Sequence, residues 1–190
     1  MLTLVTGPVR SGKSRFAERL AGEAGGPVTY AATARADASD PEWTARIAHH
    51  ATRRPAAWRI VETAPDGDGA LAGLLRATPS GTTLLVDSLG TWLGAAMRAE
   101  DPDIDVAALD GLARALADAC AACRGHAIVV GDEVGWGIVP AYASARAFRD
   151  VLGRLQQRLA ATADHAYLVV AGRAIDLHAV GRPVDAEVRS

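Results

Sequence analysis

With 190 residues, 49% of them hydrophobic and 22% charged, the chain has the composition of an ordinary soluble domain, long enough to bury a substantial core. A formal net charge of −2 leaves no broad basic face, which argues against a protein that holds nucleic acid electrostatically. No apolar run approaches the roughly 18 residues of a membrane span and no charged-then-apolar leader opens the chain, so a cytoplasmic location is expected.

Short β-branched runs alternate with longer alanine-rich helical patterns. In chain order the predicted elements are a strand at 2–6, a helix at 13–24, a strand at 27–32 and a helix at 40–53. A strand at 58–62, a helix at 67–77, a strand at 82–87 and a helix at 88–99 follow. The series closes with a helix at 105–124, a strand at 126–131, a helix at 144–163 and a strand at 165–171. The strands are almost continuously apolar, as suits strands covered on both faces of a parallel sheet. Ala147, Val151, Leu155 and Leu159 mark one apolar stripe on the longest clean helix. Such alternation predicts an α/β sandwich built from right-handed crossovers. One domain is expected over 1–178, with 179–190 as an aperiodic tail. Cys120 and Cys123 form a lone CxxC late in a helical run; no second ligand pair is apparent for zinc, and both read as small packing residues.

The stretch between the first strand and first helix carries chemistry. Gly7-x-x-x-x-Gly12-Lys13-Ser14 is a complete P-loop in the right context, after an apolar strand and before an amphipathic helix. Its glycines let successive backbone N–H groups, together with the helix N-terminus, cradle a polyphosphate. Lys13 then reaches the β- and γ-phosphates, and the Ser14 hydroxyl binds Mg²⁺. Lys13 is also the only lysine among 20 basic residues. A compact ammonium is needed where arginine's planar fork would not fit. The same solitude excludes the Asn-Lys-x-Asp guanine-reading motif, and so argues against a Ras-like switch.

A carboxylate at the end of another apolar strand should complete the Mg²⁺ site. Asp87, ending "TTLLVD", is the first choice, and Asp132 with Glu133, ending "HAIVVGDE", is the alternative. Either could instead cap the following helix.

The segment "SDPEWTARIAHHATRRP" reads as a helix with visible ends. Ser39-x-x-Glu42 makes a capping box with Pro41 in the first turn, and Pro55 prevents continuation. Arg46, His49, His50 and Arg53 fall on one face of it. A wholly cationic or titratable face repels itself unless it meets an anion, so a bound phosphate chain is expected. The histidines could donate hydrogen bonds to it, or one could attack phosphorus through a free nitrogen lone pair. Adjacent histidines do not converge on one metal ion, and no nearby carboxylate completes such a site.

These segments, with "VTYAATA", "RRPAAWRIVE", "LLVDSLGTWL", "DEVGWGIVP" and the closing "IDLH", resemble the bifunctional adenosylcobinamide kinase/adenosylcobinamide-phosphate guanylyltransferases of cobalamin biosynthesis. The resemblance spans nearly the whole chain. It implies a RecA-like P-loop α/β fold, a homotrimer with sites between subunits, and two reactions. ATP or GTP phosphorylates adenosylcobinamide; GTP then gives GMP to a histidine, releasing pyrophosphate, and the GMP passes to adenosylcobinamide phosphate. By the match to "RIAHH" the nucleophile is His49. Nucleotide contacts are implied for Gly7, Pro8, Val9, Arg10, Ser11, Gly12, Lys13 and Ser14, and for Ala32, Thr33 and Ala34. They are implied also for His50, Ala51, Thr52, Arg53, Glu62 and Asp87. A single-function P-loop kinase whose histidines only bind phosphate, and a RecA-type motor or switch module, are the competing readings.

Overall fold

The computed structural model describes residues 1–34, 39–52, 54–63, 70–97 and 105–184, without the side chains of residues 46 and 49–51. Seven strands form one sheet in the order β3-β2-β4-β5-β1-β6-β7. The strands are β1 (Leu2–Thr6), β2 (Val28–Ala32), β3 (Arg59–Glu62), β4 (Thr83–Asp87), β5 (His126–Val130), β6 (His165–Val170) and β7 (Arg173–Asp176). β1 to β6 run parallel, and β7 is antiparallel to β6. The expected mostly parallel α/β architecture is observed, and each of the six predicted strands lies within one residue of its expected bounds.

The helices are α1 (Lys13–Glu23), α2 (Pro41–Ala51), α3 (Ala70–Ala77), α4 (Leu89–Ala96), α5 (Val106–Ala121), α6 (Ala143–Thr162) and α7 (Leu177–Val180). One face of the sheet packs against α3 to α6, where Leu75, Leu93, Leu116, Leu152 and Leu155 lie fully buried with Leu84 of β4. The opposite face packs against α1 through Ala17 and Ala21, small enough to bring the helix close to Val5, Leu85 and Ile128. Burying each Leu or Ile contributes about 1.5–3 kcal/mol, so strands covered on both faces are the fold's main stabilising layer. Cys120 and Cys123 are buried, free thiols within the larger cluster. Burial first, with the neighbouring Cys123 adding to it, pushes the Cys120 thiol up to about 12.

Two local features differ from expectation. The cap of α2 is Asp40, not Ser39: the Asp40 carboxylate accepts from the Trp43 N–H at 2.9 Å, and Pro41 follows in the first turn. A carboxylate adjacent to the proline reaches the third helical N–H directly, so the box expected one residue earlier does not set the start. At the C-terminal edge, the strand predicted to continue through Ala171 instead turns there. Ala171 and Gly172 both take positive φ (49° and 73°), the geometry of a tight hairpin turn, and β7 folds back on β6.

Register decides where the chemistry collects. Ala32 pairs with both Glu62 and Asp87, Asp87 with Val130, and Val130 with Val5. Five strands therefore end at one level, and the loops that leave them share one edge of the sheet. This is where open parallel sheets bind ligands.

Candidate active site

The P-loop leaves β1 and enters α1, whose N-cap is Gly12 in a left-handed conformation (φ 99°). Gly7 is excluded from carrying a side chain by approach: a Cβ there would overlap the Val169 carbonyl oxygen of β6. Neighbouring loops brace the turn. Glu133 N–H donates to the Gly7 carbonyl at 3.0 Å, and Gly172 N–H to the Ser11 carbonyl at 3.0 Å. Ser11 is buried, and its Oγ accepts from the Lys13 N–H. Val9 and Arg10 are exposed at the tip, and Pro8 is half-buried.

Lys13 is 8% exposed, its ammonium donating to the Pro8 carbonyl at 3.2 Å and lying 3.1 Å from Asp132 Oδ1. Asp132 also accepts through Oδ2 from the Ser88 hydroxyl at 2.6 Å and the Gly90 N–H at 3.0 Å. Gln156 of α6 donates to the Asp132 carbonyl at 3.2 Å and accepts from Thr6. Asp132 is thus a bridge between the P-loop lysine and the start of α4.

Asp87 has different partners. The Ser14 hydroxyl donates to its Oδ1 at 3.3 Å, and the buried Tyr30 hydroxyl donates to its Oδ2 at 2.8 Å. Burial, followed by the Asp87 charge, drives the Tyr30 pKa far up, so Tyr30 stays protonated and remains a donor. Ser14 and Asp87 thus bring together hard oxygen atoms from two different elements, which could hold a divalent cation. The described residues contain no cluster of three His, Cys, Asp or Glu.

A cleft of about 700 Å³ opens above this edge. Lys13, Ser14, Asp87 and Asp132 form its floor, Ala32, Ala34 and Glu62 lie along the sheet edge, and Trp43 and Ile47 of α2 form a wall. Thr33 is buried beneath, its hydroxyl donating to the Ser88 carbonyl at 2.8 Å beside Thr91. Thr52, the C-cap of α2, is exposed. The α2 backbone carries residues 49 to 51, but the His49, His50 and Ala51 side chains, with Arg46, lie outside the described residues, as does Arg53 altogether.

Two participants were not assigned from sequence. Tyr30 sits in a strand of small apolar residues, where nothing marks its hydroxyl as the partner of Asp87. Arg54, part of the basic run but given no role, places its guanidinium 3.7 Å above the Tyr30 ring centroid and lines the cleft. The pairing of β2 with β4 brings Tyr30 to Asp87, and the loop after α2 brings Arg54 over Tyr30.

Residues 3–177 match the family model described as cobinamide kinase / cobinamide phosphate guanyltransferase. The chain belongs to this family. Among curated members, the bifunctional adenosylcobalamin biosynthesis protein CobU of Salmonella typhimurium is 42% identical over 191 residues, covering 90% of this chain and 97% of that one. The bifunctional protein CobP of Pseudomonas aeruginosa is 42% identical over 173 residues, covering 90% and 94%. CobU of Escherichia coli is 40% identical over 186 residues, covering 90% and 97%. Membership makes the protein an enzyme of cobalamin biosynthesis whose family joins a kinase to a guanylyltransferase. It disfavours the motor or switch reading.

Proposed function

We propose that this chain performs both reactions: phosphorylation of adenosylcobinamide by ATP or GTP, and transfer of GMP from GTP to adenosylcobinamide phosphate through a GMP–His49 intermediate. The observation that carries the reading is that one cleft joins the P-loop floor to the helix that bears His49. A nucleotide anchored at Lys13 therefore lies beside α2. No motif for a separate nucleotide site is needed.

In the kinase step the cobinamide hydroxyl oxygen bonds to the γ-phosphorus and releases its proton to solvent, the bond to the β–γ bridging oxygen breaks, and the nucleoside diphosphate leaves with that electron pair. Lys13 holds the β- and γ-phosphates in place, and the P-loop N–H groups donate to their oxygens. In the second reaction an imidazole nitrogen of His49 attacks the α-phosphorus and pyrophosphate departs with the bridging electron pair. An oxygen of adenosylcobinamide phosphate then displaces the imidazole from phosphorus, giving adenosylcobinamide-GDP. Gly7 to Ser14, Ala32 to Ala34, His50 to Arg53, Glu62 and Asp87 are proposed to bind the nucleotide. Ser14 and Asp87 would hold Mg²⁺, which neutralises phosphate charge when bound.

A homo-oligomer, a homotrimer by the family resemblance, is part of the same reading. Its support is an exposed apolar run: Trp136, Ile138, Val139 and Tyr142 are 64%, 96%, 71% and 77% exposed. Arg149 donates to the Gly135 and Ile138 carbonyls, and Arg146 to those of Pro140 and Ala141, which keeps this surface fixed. No helix among the described residues is long and apolar enough to cross a membrane.

The test is incubation with GTP labelled at the α-phosphate, followed by denaturing electrophoresis. Wild type should carry acid-labile, alkali-stable label. His49→Ala should lose it while still phosphorylating adenosylcobinamide. A wild type without label but with kinase activity would identify a single-function kinase.

A further inference from the structure

We propose that Arg54 binds the phosphate chain of GTP during guanylyl transfer, an assignment that rests on the two-step reading above. Arg54 is half-buried, and its Nε is shielded from water with no hydrogen-bond partner. Among the described residues no carboxylate pairs with it. A cation withdrawn from water and left without an anion is costly, and such a group is retained where an anion arrives later.

Its surroundings identify the anion. One face of the guanidinium is covered by the Tyr30 ring, which fixes the plane and leaves the edge, where the N–H donors lie, for a planar or bidentate acceptor. Tyr30 is anchored in turn by its hydroxyl on Asp87, the carboxylate that also meets Ser14. Arg54 is therefore tied to the P-loop through three successive contacts, by way of Tyr30 and Asp87 to Ser14, and lines the same cleft as Lys13. Phosphate oxygens are the acceptors that this cleft is shaped to receive, and arginine binds them in a fork.

Position assigns the step. Along the sheet edge the order runs from β2, which carries Tyr30 and its stacked Arg54, through β4 with Asp87, to the P-loop after β1. Lys13 serves the β- and γ-phosphates from one end. Arg54 stands toward the other, three residues beyond the end of α2, the helix of His49. When the His49 nitrogen bonds to the α-phosphorus and the bond to pyrophosphate breaks, negative charge grows on this stretch of the chain. The Arg54 N–H groups donate to the oxygens that carry it.

Three variants test the assignment: Arg54→Met, which keeps bulk over Tyr30 without charge, Arg54→Lys and Arg54→Ala. In Arg54→Met the initial rate of His49 labelling from α-labelled GTP should fall about 100-fold, as when a charged donor is removed from developing charge. Phosphorylation of adenosylcobinamide should fall less than about tenfold, because Lys13 carries that step. The thermal midpoint of Arg54→Met should match wild type, Arg54→Lys should label at an intermediate rate, and added guanidinium should restore part of the labelling in Arg54→Ala. Wild-type labelling in Arg54→Met would overturn the proposal. So would equal loss of both reactions, in step with lost thermal stability and without guanidinium rescue, which describes a packing residue. Absence of label in wild type would instead overturn the two-step reading itself, so the two failures are distinct.

Discussion

The Lys13 ammonium lies 3.1 Å from Asp132, the same carboxylate that accepts from the Ser88 hydroxyl and the Gly90 N–H. The P-loop ammonium and the loop after β4 are thereby held by one side chain. Lys13 is further enclosed by the Pro8 carbonyl, with little exposed surface left. Arginine has no room there for its longer planar fork. Lys13→Arg should retain the fold and lose most of both activities, measured as kcat with ATP and as label from α-labelled GTP. Near-wild-type turnover would refute the steric argument for a lone lysine.

Gly90 tests the other end of that bridge. A Cβ on Gly90 would overlap the Asp132 carboxylate, whose position is set by Lys13 and Ser88. Gly90→Ala should displace Asp132 and destabilise the protein by about 1–3 kcal/mol, read from urea denaturation. It should also raise the KM for nucleotide. An unchanged denaturation midpoint would show that Asp132 moves aside freely.

Asp87 receives hydroxyl donors on both oxygens. In Asp87→Asn one of them faces an N–H₂ group that cannot accept. The Mg²⁺ concentration for half-maximal kinase activity should rise at least about tenfold, with little change in secondary structure by circular dichroism. If Asp132→Asn produced that shift and Asp87→Asn did not, the metal ligand would lie in the loop after β5.

His126 sets an expected pH dependence away from the cleft. Burial first, then the N-terminal ammonium and His165, lower its pKa against a weaker opposing pull from Asp164. The folded protein thus resists protonating it. The unfolded chain takes the proton as pH falls through about 6.5, so stability is full above that value and declines below it. The decline levels off once pH is under the depressed folded value. Thermal midpoints from pH 8 to 5 should show wild type losing its advantage over His126→Gln within this window. A constant difference across the range would remove His126 as the cause.

Much of this was readable from residue types because the signals were local. The P-loop needs adjacent residues only, and the near-continuous apolar runs at 2–6, 82–87 and 126–131 require burial on both faces. The choice between Asp87 and Asp132 was not local. Both end apolar strands before a helix, and only the sheet order, which inserts β5 between β1 and β4, separates one that meets Ser14 from one that meets Lys13. The cap of α2 shifted by one residue because Ser39 and Asp40 are both competent, and backbone direction selects between them. β7 escaped notice since "RAID" mixes charge with a single large apolar residue, Ile175, that stays 41% exposed at the sheet edge. Its turn also depends on Ala171 adopting a positive φ, which its type does not advertise.

The central place of β1 bears on how the chain is made. β1 is synthesised first, yet both of its neighbours, β5 and β6, come from residues 126–170. The contacts that seat Gly7 and Ser11 come from Glu133 and Gly172, just beyond the ends of those same two strands. A nascent chain emerging from the ribosome therefore carries the P-loop sequence for nearly its whole length without the strands that shape it. Loop closure over more than a hundred residues must precede its first long-range pairing. Nucleotide affinity should consequently appear late and abruptly during translation, and stalled chains ending before residue 165 should emerge without it.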